Sequence, residues 1–331
     1  MARKLLSVSI AAYNVSKFIR KALDSVILES SYMDRLEVIV VNDGSTDDTL
    51  SIALEYQERY PDTFRVINKK NGGYGSTINA SLKAADGTYF KLLDGDDWYD
   101  QDGLCGLIDH LENTDADLVI SPYYAVRSDA KLVPHHTDVP GEETEITDLY
   151  LEDKLFQMHG ITVKTDVLRR YGHPIAEHCF YTDIEYVFYC LGAAETISRF
   201  DKPVYNYRLD MDGQSVSLAG IRKHYKEHTV VTDRICRCYE EECGSFTGGK
   251  REILRYAVTF SIYGVFNSYM VLKDAAKHKK DLIRFDRELA EKYPGAYDAG
   301  NDSSVVRTAR RLGFRLYWPM CQYMKFKFGR F

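Results

Sequence analysis

Over its first 120 residues the chain alternates short β-branched runs with amphipathic helical patterns, joined by short links. Residues 5–12 read as a buried strand, followed by apolar positions at helix spacing: Phe18, Ile19, Ala22, Leu23, Val26 and Ile27. Leu36 to Val41 reads as the next strand. Ser45 stands where an N-cap belongs, with Asp47 and Asp48 in the first turn of a helix running to Arg59. Residues 64–67 form a third strand. The loop Asn71 to Gly75 opens a helix through Ala84, and residues 89–93 make a fourth strand. Such a rhythm predicts a mostly parallel sheet with helices on both faces. A helix over 102–112 and a strand over 117–121 continue it, and then it breaks. Residues 122–150, punctuated by Pro122, Pro134 and Pro140, read as hairpin or loop. A helix is expected over 182–191, strands over 196–200 and 204–207, and helices from Ile221 onward, interrupted by a turn at 244–249. The expected organisation is α/β in three segments, 1–125, 126–220 and a C-terminal helical region 221–331.

Composition narrows the partners. The 331 residues are 45% apolar and 28% charged, with a net charge of −6, which opposes general nucleic-acid binding. The seven cysteines have no framework spacing, and Cys236, Cys238 and Cys243 match no zinc pattern, so reduced thiols in a cytosolic protein are expected. The N-terminal apolar run is too short for a signal peptide, and no run reaches the roughly 18 apolar residues that a membrane span needs.

Three places carry candidate chemistry. Asp94, Asp96 and Asp97, in LeuLeuAspGlyAspAspTrp (92–98), crowd the end of the fourth strand. Carboxylates this close repel one another and suit a hard divalent ion, Mn²⁺ or Mg²⁺. The alternative is an acidic surface turn. Spacing excludes an EF-hand, which would need Gly and Glu where Tyr99 and Cys105 stand. Asp43 follows the second strand, at the ligand edge of such a sheet, where it either meets a nucleoside or only shapes a turn with Asn42 and Gly44. In Asn71-Gly72-Gly73-Tyr74-Gly75, glycines before a helix allow close approach of backbone N–H groups to a phosphate.

Taken together, residues 7–14, 38–49, 71–79 and 87–98 resemble the family-2 glycosyltransferases of the GT-A fold in order and spacing. The resemblance implies an inverting transferase that uses a nucleotide-diphospho-sugar, UDP-linked by preference, in cell-surface polysaccharide or glycolipid synthesis. It implies that Ala12, Tyr13, Asn14 and Asp43 hold the nucleoside, Asp43 on the base. Asn71, Gly72 and Gly73 would line the nucleotide cleft. Asp94 and Asp96 would hold the divalent ion across the diphosphate, with Asp94 also touching the nucleotide. Asp97 and Trp98 would be further donor or acceptor contacts.

The family takes its general base from a Glu-Asp pair at a helix start. The matching segment is PheTyrThrAspIleGluTyr (180–186), with Thr182 in place of Glu. Thr182-x-x-Glu185 spells a capping box, which would occupy Glu185 structurally and leave Asp183 as the base. Glu177 and His178 stand nearby as substitutes. Arg208 or Gln214 would reach the diphosphate or close a loop over the donor, unless 204–217 is only a solvated edge. The Thr182 departure also admits a nucleotide-binding module without turnover.

Two features lie outside this resemblance. His224, Glu227 and His228 match the H-x-x-E-H pattern of certain zinc peptidases, against a plain solvated helix face. Residues 303–331 carry no acid. They interleave Arg307, Arg310, Arg311, Arg315, Lys325, Lys327 and Arg330 with aromatic residues. That composition suits peripheral contact with the inner face of an anionic membrane, near a saccharide or lipid-linked acceptor, or else a helix packed on the body.

Overall fold

The computed structural model describes residues 4–127, 130–132, 138–209 and 217–328, with backbone alone for 130–132 and 327–328. It divides into two compact units. The first comprises Met1–His178 and Tyr189–Asp210, the second Cys179–Phe188 and Met211–Phe331. The expected boundary at 125/126 thus falls inside the first unit.

In the first unit the strand–helix alternation is present. Strand β1 (Leu6–Ala12) leads to α1 (Ile19–Asp24) and the short α2 (Ser30–Met33). Then come β2 (Leu36–Asp43), α3 (Thr49–Arg59), β3 (Phe64–Lys69), α4 (Tyr74–Ala84) and β4 (Tyr89–Asp94). Short β5 (Trp98–Tyr99) precedes α5 (Gln101–Leu111) and β6 (Leu118–Ile120). The hairpin β7 (Tyr123–Arg127) and β8 (Ala130–Leu132), then β9 (Thr144–Glu145), fill the proline-punctuated stretch. Strand β10 (Ile161–Lys164), α6 (Thr165–Tyr171), α7 (Thr182–Ala193, its residues through Phe188 counted in the second unit), β11 (Thr196–Arg199) and β12 (Tyr205–Arg208) follow. The main sheet has the order β3-β2-β1-β4-β10-β6-β11-β9, and a second sheet the order β5-β12-β7-β8. Strands β1 to β4 pair in parallel, and β2 is buried at every position, as a strand covered on both faces must be. The sequence reading omitted β10, which runs antiparallel between β4 and β6.

The expected Ser45 cap of α3 is not formed. Helix α3 begins at Thr49, so Asp47 and Asp48 precede its first turn and Ser45 does not cap it. Ser45 Oγ instead accepts from Asn14 N–H at 3.0 Å, and Asp47 accepts from Ser16 N–H and Thr49 N–H at 3.1 Å each. Desolvation pushes the Asp47 carboxyl up, but these bonds prevail and hold it at about 2. The acidic and hydroxyl residues therefore lace the loop after β1 to the loop after β2.

The second unit is helical: α8 (Leu218–Glu242), α9 (Gly248–Met270), α10 (Ala275–Lys292), α11 (Pro294–Gly300), α12 (Ser304–Arg311) and α13 (Tyr317–Phe328). Among the described residues no helix is long and apolar enough to cross a membrane. The C-terminal segment packs by one face, burying Val306, Ala309, Phe314, Tyr317, Cys321 and Met324. Tyr317 donates to Ala275 O at 3.1 Å. The side chain of Arg310, counted above with a basic tail, is buried. Its Nε bonds Asp286 at 2.8 Å with side chains 6% and 9% exposed, and its guanidinium lies 3.6 Å from the Tyr297 ring centre. Arg330 and Phe331 lie outside the described residues.

Removing one partner of a buried ion pair strands the other charge. Arg310→Met should destabilise the protein by roughly 3–5 kcal/mol in urea unfolding. The double change Arg310→Met with Asp286→Leu should recover most of that loss, and Arg307→Met, at an exposed position, should stay within about 0.5 kcal/mol of wild type.

Candidate active site

Four neighbouring parallel strands end together. The carboxyl ends of β3, β2, β1 and β4 carry, respectively, the Asn71 loop, Asp43, the Ala12–Asn14 loop and Asp94. Chain order reverses between β1 and β4, and a parallel sheet opens a crevice at such a point.

Asp43 is buried, and its carboxylate organises the glycine loop. Oδ1 accepts from Lys69 Nζ at 2.7 Å and Gly72 N–H at 2.9 Å, and Oδ2 accepts from Gly73 N–H at 2.8 Å. Asn71 Nδ2 donates to Asp43 O at 2.9 Å. Gly73 sits at φ 80° and caps α4, a conformation that a side chain resists. Gly75 is fixed by contact: a Cβ there would stand 2.0 Å from Ala176 O. His178 N–H donates to Gly72 O, and Glu177 accepts from Asn79 at 3.1 Å, so both exposed residues are held beside this loop.

Asn14, at φ 53°, accepts from Thr46 N–H at 2.8 Å, and Tyr13 is exposed beside it. Ala12 is buried at the end of β1 and offers only backbone.

The acidic cluster is braced from the second sheet. Tyr205, fully buried on β12, accepts from Asp94 N–H at 3.1 Å and donates to Asp97 Oδ2 at 2.7 Å. Arg208 N–H donates to Asp97 Oδ1 at 2.7 Å, and its Nε donates to Asp96 O at 2.9 Å. The Arg208 guanidinium lies 4.9 Å from the Trp98 ring centre, and Lys21 Nζ lies 3.1 Å from the same centre. Asp97 is 2% exposed with both oxygens engaged, so it is a brace and not the substrate contact expected from sequence. Burial, with the charges of Asp94 and Asp96, pushes its carboxyl up to about 9; burial also raises Asp96. Gln214 lies outside the described residues.

Sequence reading missed three contributors. Tyr74, the first residue of α4, donates to Asp94 Oδ1 at 2.7 Å. Lys91, wholly buried on β4, donates to His159 O at 3.0 Å and Ile161 O at 3.2 Å, and desolvation brings its ammonium down to about 7. His159 is packed against Tyr207, Tyr205 and Tyr123 at 4.3, 4.8 and 4.9 Å, and burial lowers it to about 3, so it is neutral. Its Nδ1 has no partner. Asp94, Asp97 and His159 offer ligand atoms within 4.8 Å of one another, a group that does not include Asp96. Clustered carboxylates beside a neutral imidazole fit a divalent cation, and Mn²⁺ accepts both donor types.

Asp183 belongs to the second unit, in the first turn of α7, and remains exposed to solvent. Surrounding protein nonetheless desolvates its carboxyl and raises it above the ordinary carboxylate value, against backbone N–H groups that lower it. The expected capping box is not formed. Thr182 is already helical and its hydroxyl has no partner, while buried Glu185 is bonded to Arg234. Glu185 thus has a structural task, through an ion pair that the sequence did not reveal.

The H-x-x-E-H spacing builds no metal site. His224 bonds Glu227 at 2.8 Å and stacks on Phe180, while His228 bonds Ser268 at 3.1 Å and stacks on Tyr181. Burial lowers His228 to about 4.

This sheet order, with its acidic strand end and glycine loop, defines a GT-A-type α/β protein. Residues 7–179, just over half of the chain, match the family description "Glycosyl transferase family 2". The chain belongs to that family and is a glycosyltransferase, and the peptidase reading falls with it. It is 27% identical over 233 residues to the minor teichoic acid biosynthesis protein GgaB of Bacillus subtilis, covering 68% of this chain and 25% of GgaB. To the hyaluronan synthase of Pasteurella multocida it is 30% identical over 232 residues, covering 70% of this chain and 23% of the synthase. The chain therefore spans about a quarter of these two relatives. Among solved structures, S. aureus TarS 1–349 in complex with UDP-GlcNAc superposes with a TM-score of 0.58 at 19% identity, covering 93% of this chain and 92% of TarS 1–349. Mannosyltransferase PcManGT from Pyrobaculum calidifontis, with GDP-Man and Mn²⁺, gives 0.53 at 14% identity, covering 98% and 88%.

Asp43 and Asp96 should separate on stability. Asp43→Ala strands buried donors and should cost roughly 2–4 kcal/mol in urea unfolding. Asp96→Asn should change stability by less than about 1 kcal/mol.

Proposed function

We propose that this glycosyltransferase moves a sugar from a UDP-sugar, with inversion, to a hydroxyl of a saccharide or lipid-linked acceptor in cell-surface polysaccharide synthesis. The observation that carries the reading is the convergence of the Ala12–Asn14 loop, the glycine loop held by Asp43 and the Asp94–Asp96 strand end on adjacent parallel strands. The UDP-GlcNAc complex of TarS supports the nucleotide, and the polymers named for GgaB and the hyaluronan synthase support the product class.

In this reading Tyr13 and Asn14 bound the nucleoside. Asp43 keeps Gly72 and Gly73 in the shape that receives the nucleotide. Asp94 and Asp96, with His159 at the edge, would hold a divalent cation, which would neutralise charge on the departing diphosphate. Arg208, anchored on Asp96 O and stacked on Trp98, adds a fixed positive charge beside the same cluster. Asp183 takes the acceptor hydroxyl's proton, and its exposure leaves it accessible to that hydroxyl.

The packed tail leaves an outward aromatic set, Trp318 at 65% exposure, Tyr323 at 62% and Phe326 at 59%, with Arg315 exposed nearby. We assign that face to peripheral contact with an anionic membrane.

Thermal unfolding against UDP, GDP, CDP and dTDP, with and without Mn²⁺, tests the donor site. UDP at about 100 times its dissociation constant should stabilise by roughly 2.7 kcal/mol only when Mn²⁺ is present. No shift with any diphosphate would reject the reading. Asp183→Asn should keep that stabilisation and lose transfer. Because a base must be ionised and the Asp183 carboxyl is raised, transfer by wild type should fall on acidification through an apparent pKa above the usual carboxylate value. Changing Trp318 and Phe326 together to Ser should weaken sedimentation with phosphatidylglycerol vesicles roughly tenfold, the effect of about 1.4 kcal/mol of interfacial burial. Unchanged sedimentation would remove the membrane assignment.

A further inference from the structure

The helical unit holds a groove of about 660 Å³ between α8 and α10, closed by Tyr269 on α9 and by Tyr293 after α10. That volume lies within the range of small-molecule sites, roughly 300–1,000 Å³. Its chemistry is unlike that of the donor crevice. Each arginine lining it is bonded to a carboxylate. Arg237 meets Asp233 at 3.0 Å and Arg284 meets Asp281 at 2.9 Å, while Arg234 meets Glu185. Glu288 is paired with Lys292 at 3.4 Å. Apart from the exposed Lys226, the charges lining the groove are cancelled in pairs, which leaves little field to draw a phosphate or a polyanion. Tyr225 and Tyr293 add half-buried phenol rings, and Val230, 51% exposed, adds an apolar wall.

Paired charges, ring faces with hydroxyls and a short apolar wall fit a polyhydroxylated, uncharged ligand. Its hydroxyls both donate and accept, and its C–H faces lie on aromatic rings. One bond ties the groove to the chemistry. Arg234 lines it and also holds Glu185, two residues beyond Asp183 on the same helix.

We propose that the groove between α8 and α10 is a binding site for a neutral oligosaccharide, the part of the acceptor chain remote from the reacting hydroxyl. This rests on the reading that the acceptor is a saccharide. Occupancy would hold the acceptor chain on the unit that carries Asp183, and would do so without using the donor site.

Saturation-transfer-difference NMR on the full chain tests it, with chitotetraose, maltotetraose and cellotetraose as neutral probes and a hyaluronan tetrasaccharide as the anionic comparison. At least one neutral probe should bind, and the hyaluronan probe should bind at least about fivefold more weakly than it. Val230→Arg and Tyr225→Ala should each weaken the neutral probe by about fivefold or more, and both should retain wild-type stabilisation by UDP with Mn²⁺. Asp96→Asn should bind the neutral probe like wild type. Absence of binding by all three neutral probes, equal binding by the groove variants, or preference for the hyaluronan probe would each overturn the proposal. A protein that binds the neutral probe but gains no stability from any diphosphate would reject the donor reading and leave the groove standing.

Discussion

Mutual repulsion among Asp94, Asp96 and Asp97 is the constraint around which the first unit is arranged. Three carboxylates at one strand end cannot all be ionised in a desolvated place without compensation, and burial with the two neighbouring charges drives Asp97 up to about 9. The fold answers locally. The second sheet brings Tyr205 and Arg208 from β12 to Asp97, while Tyr74 from α4 reaches Asp94. Pairing of β12 with β5, immediately beyond the cluster, fixes that approach. The remaining negative charge is what makes the place fit for a cation. In the proposed donor site, the repulsion that opposes folding would be relieved by a bound cation.

The parallel half of the sheet was legible because its strands are apolar runs bounded by turn residues, and that pattern needs no partner to be read. The positions of Asp43, Asn71 and Asp94 followed from it, since they stand at strand ends. The part Asp43 plays in holding the glycine loop was not legible. Its ties to Lys69, Gly72 and Gly73 join residues nearly thirty apart, and nothing in a turn sequence distinguishes a carboxylate facing a ligand from one facing a loop. Ser45 and Thr182 show the matching failure at helix starts. A hydroxyl before a helix reads as a cap, yet Ser45 receives Asn14 N–H and Thr182 bonds nothing. His159 left no local signal, because its ring neighbours come from two distant strands, β7 and β12.

The helical unit shows how charge in sequence misleads when partners are distant. Arg310 contributes to a basic tail on paper and to a buried pair with Asp286 in the fold. His224 and His228 share a helix face at metal-ligand spacing, but each imidazole is taken by a hydrogen bond and a ring stack. The acid that pairs with Arg310 and the rings that stack on the two histidines lie 24 to 47 residues away.

Strand β10 has a consequence for synthesis. It is wedged between β4 and β6, antiparallel to both, although β4 ends at Asp94 and β10 begins at Ile161. While the chain is being made, β1 to β4 can assemble from contiguous sequence, but the free edge of β4 must wait for about 70 more residues. At about 5–20 residues per second the wait is on the order of several seconds. During it, an apolar strand edge next to the acidic cluster is open to pairing with another nascent chain. The arrival of β10 covers the edge of β4 and ends that exposed interval.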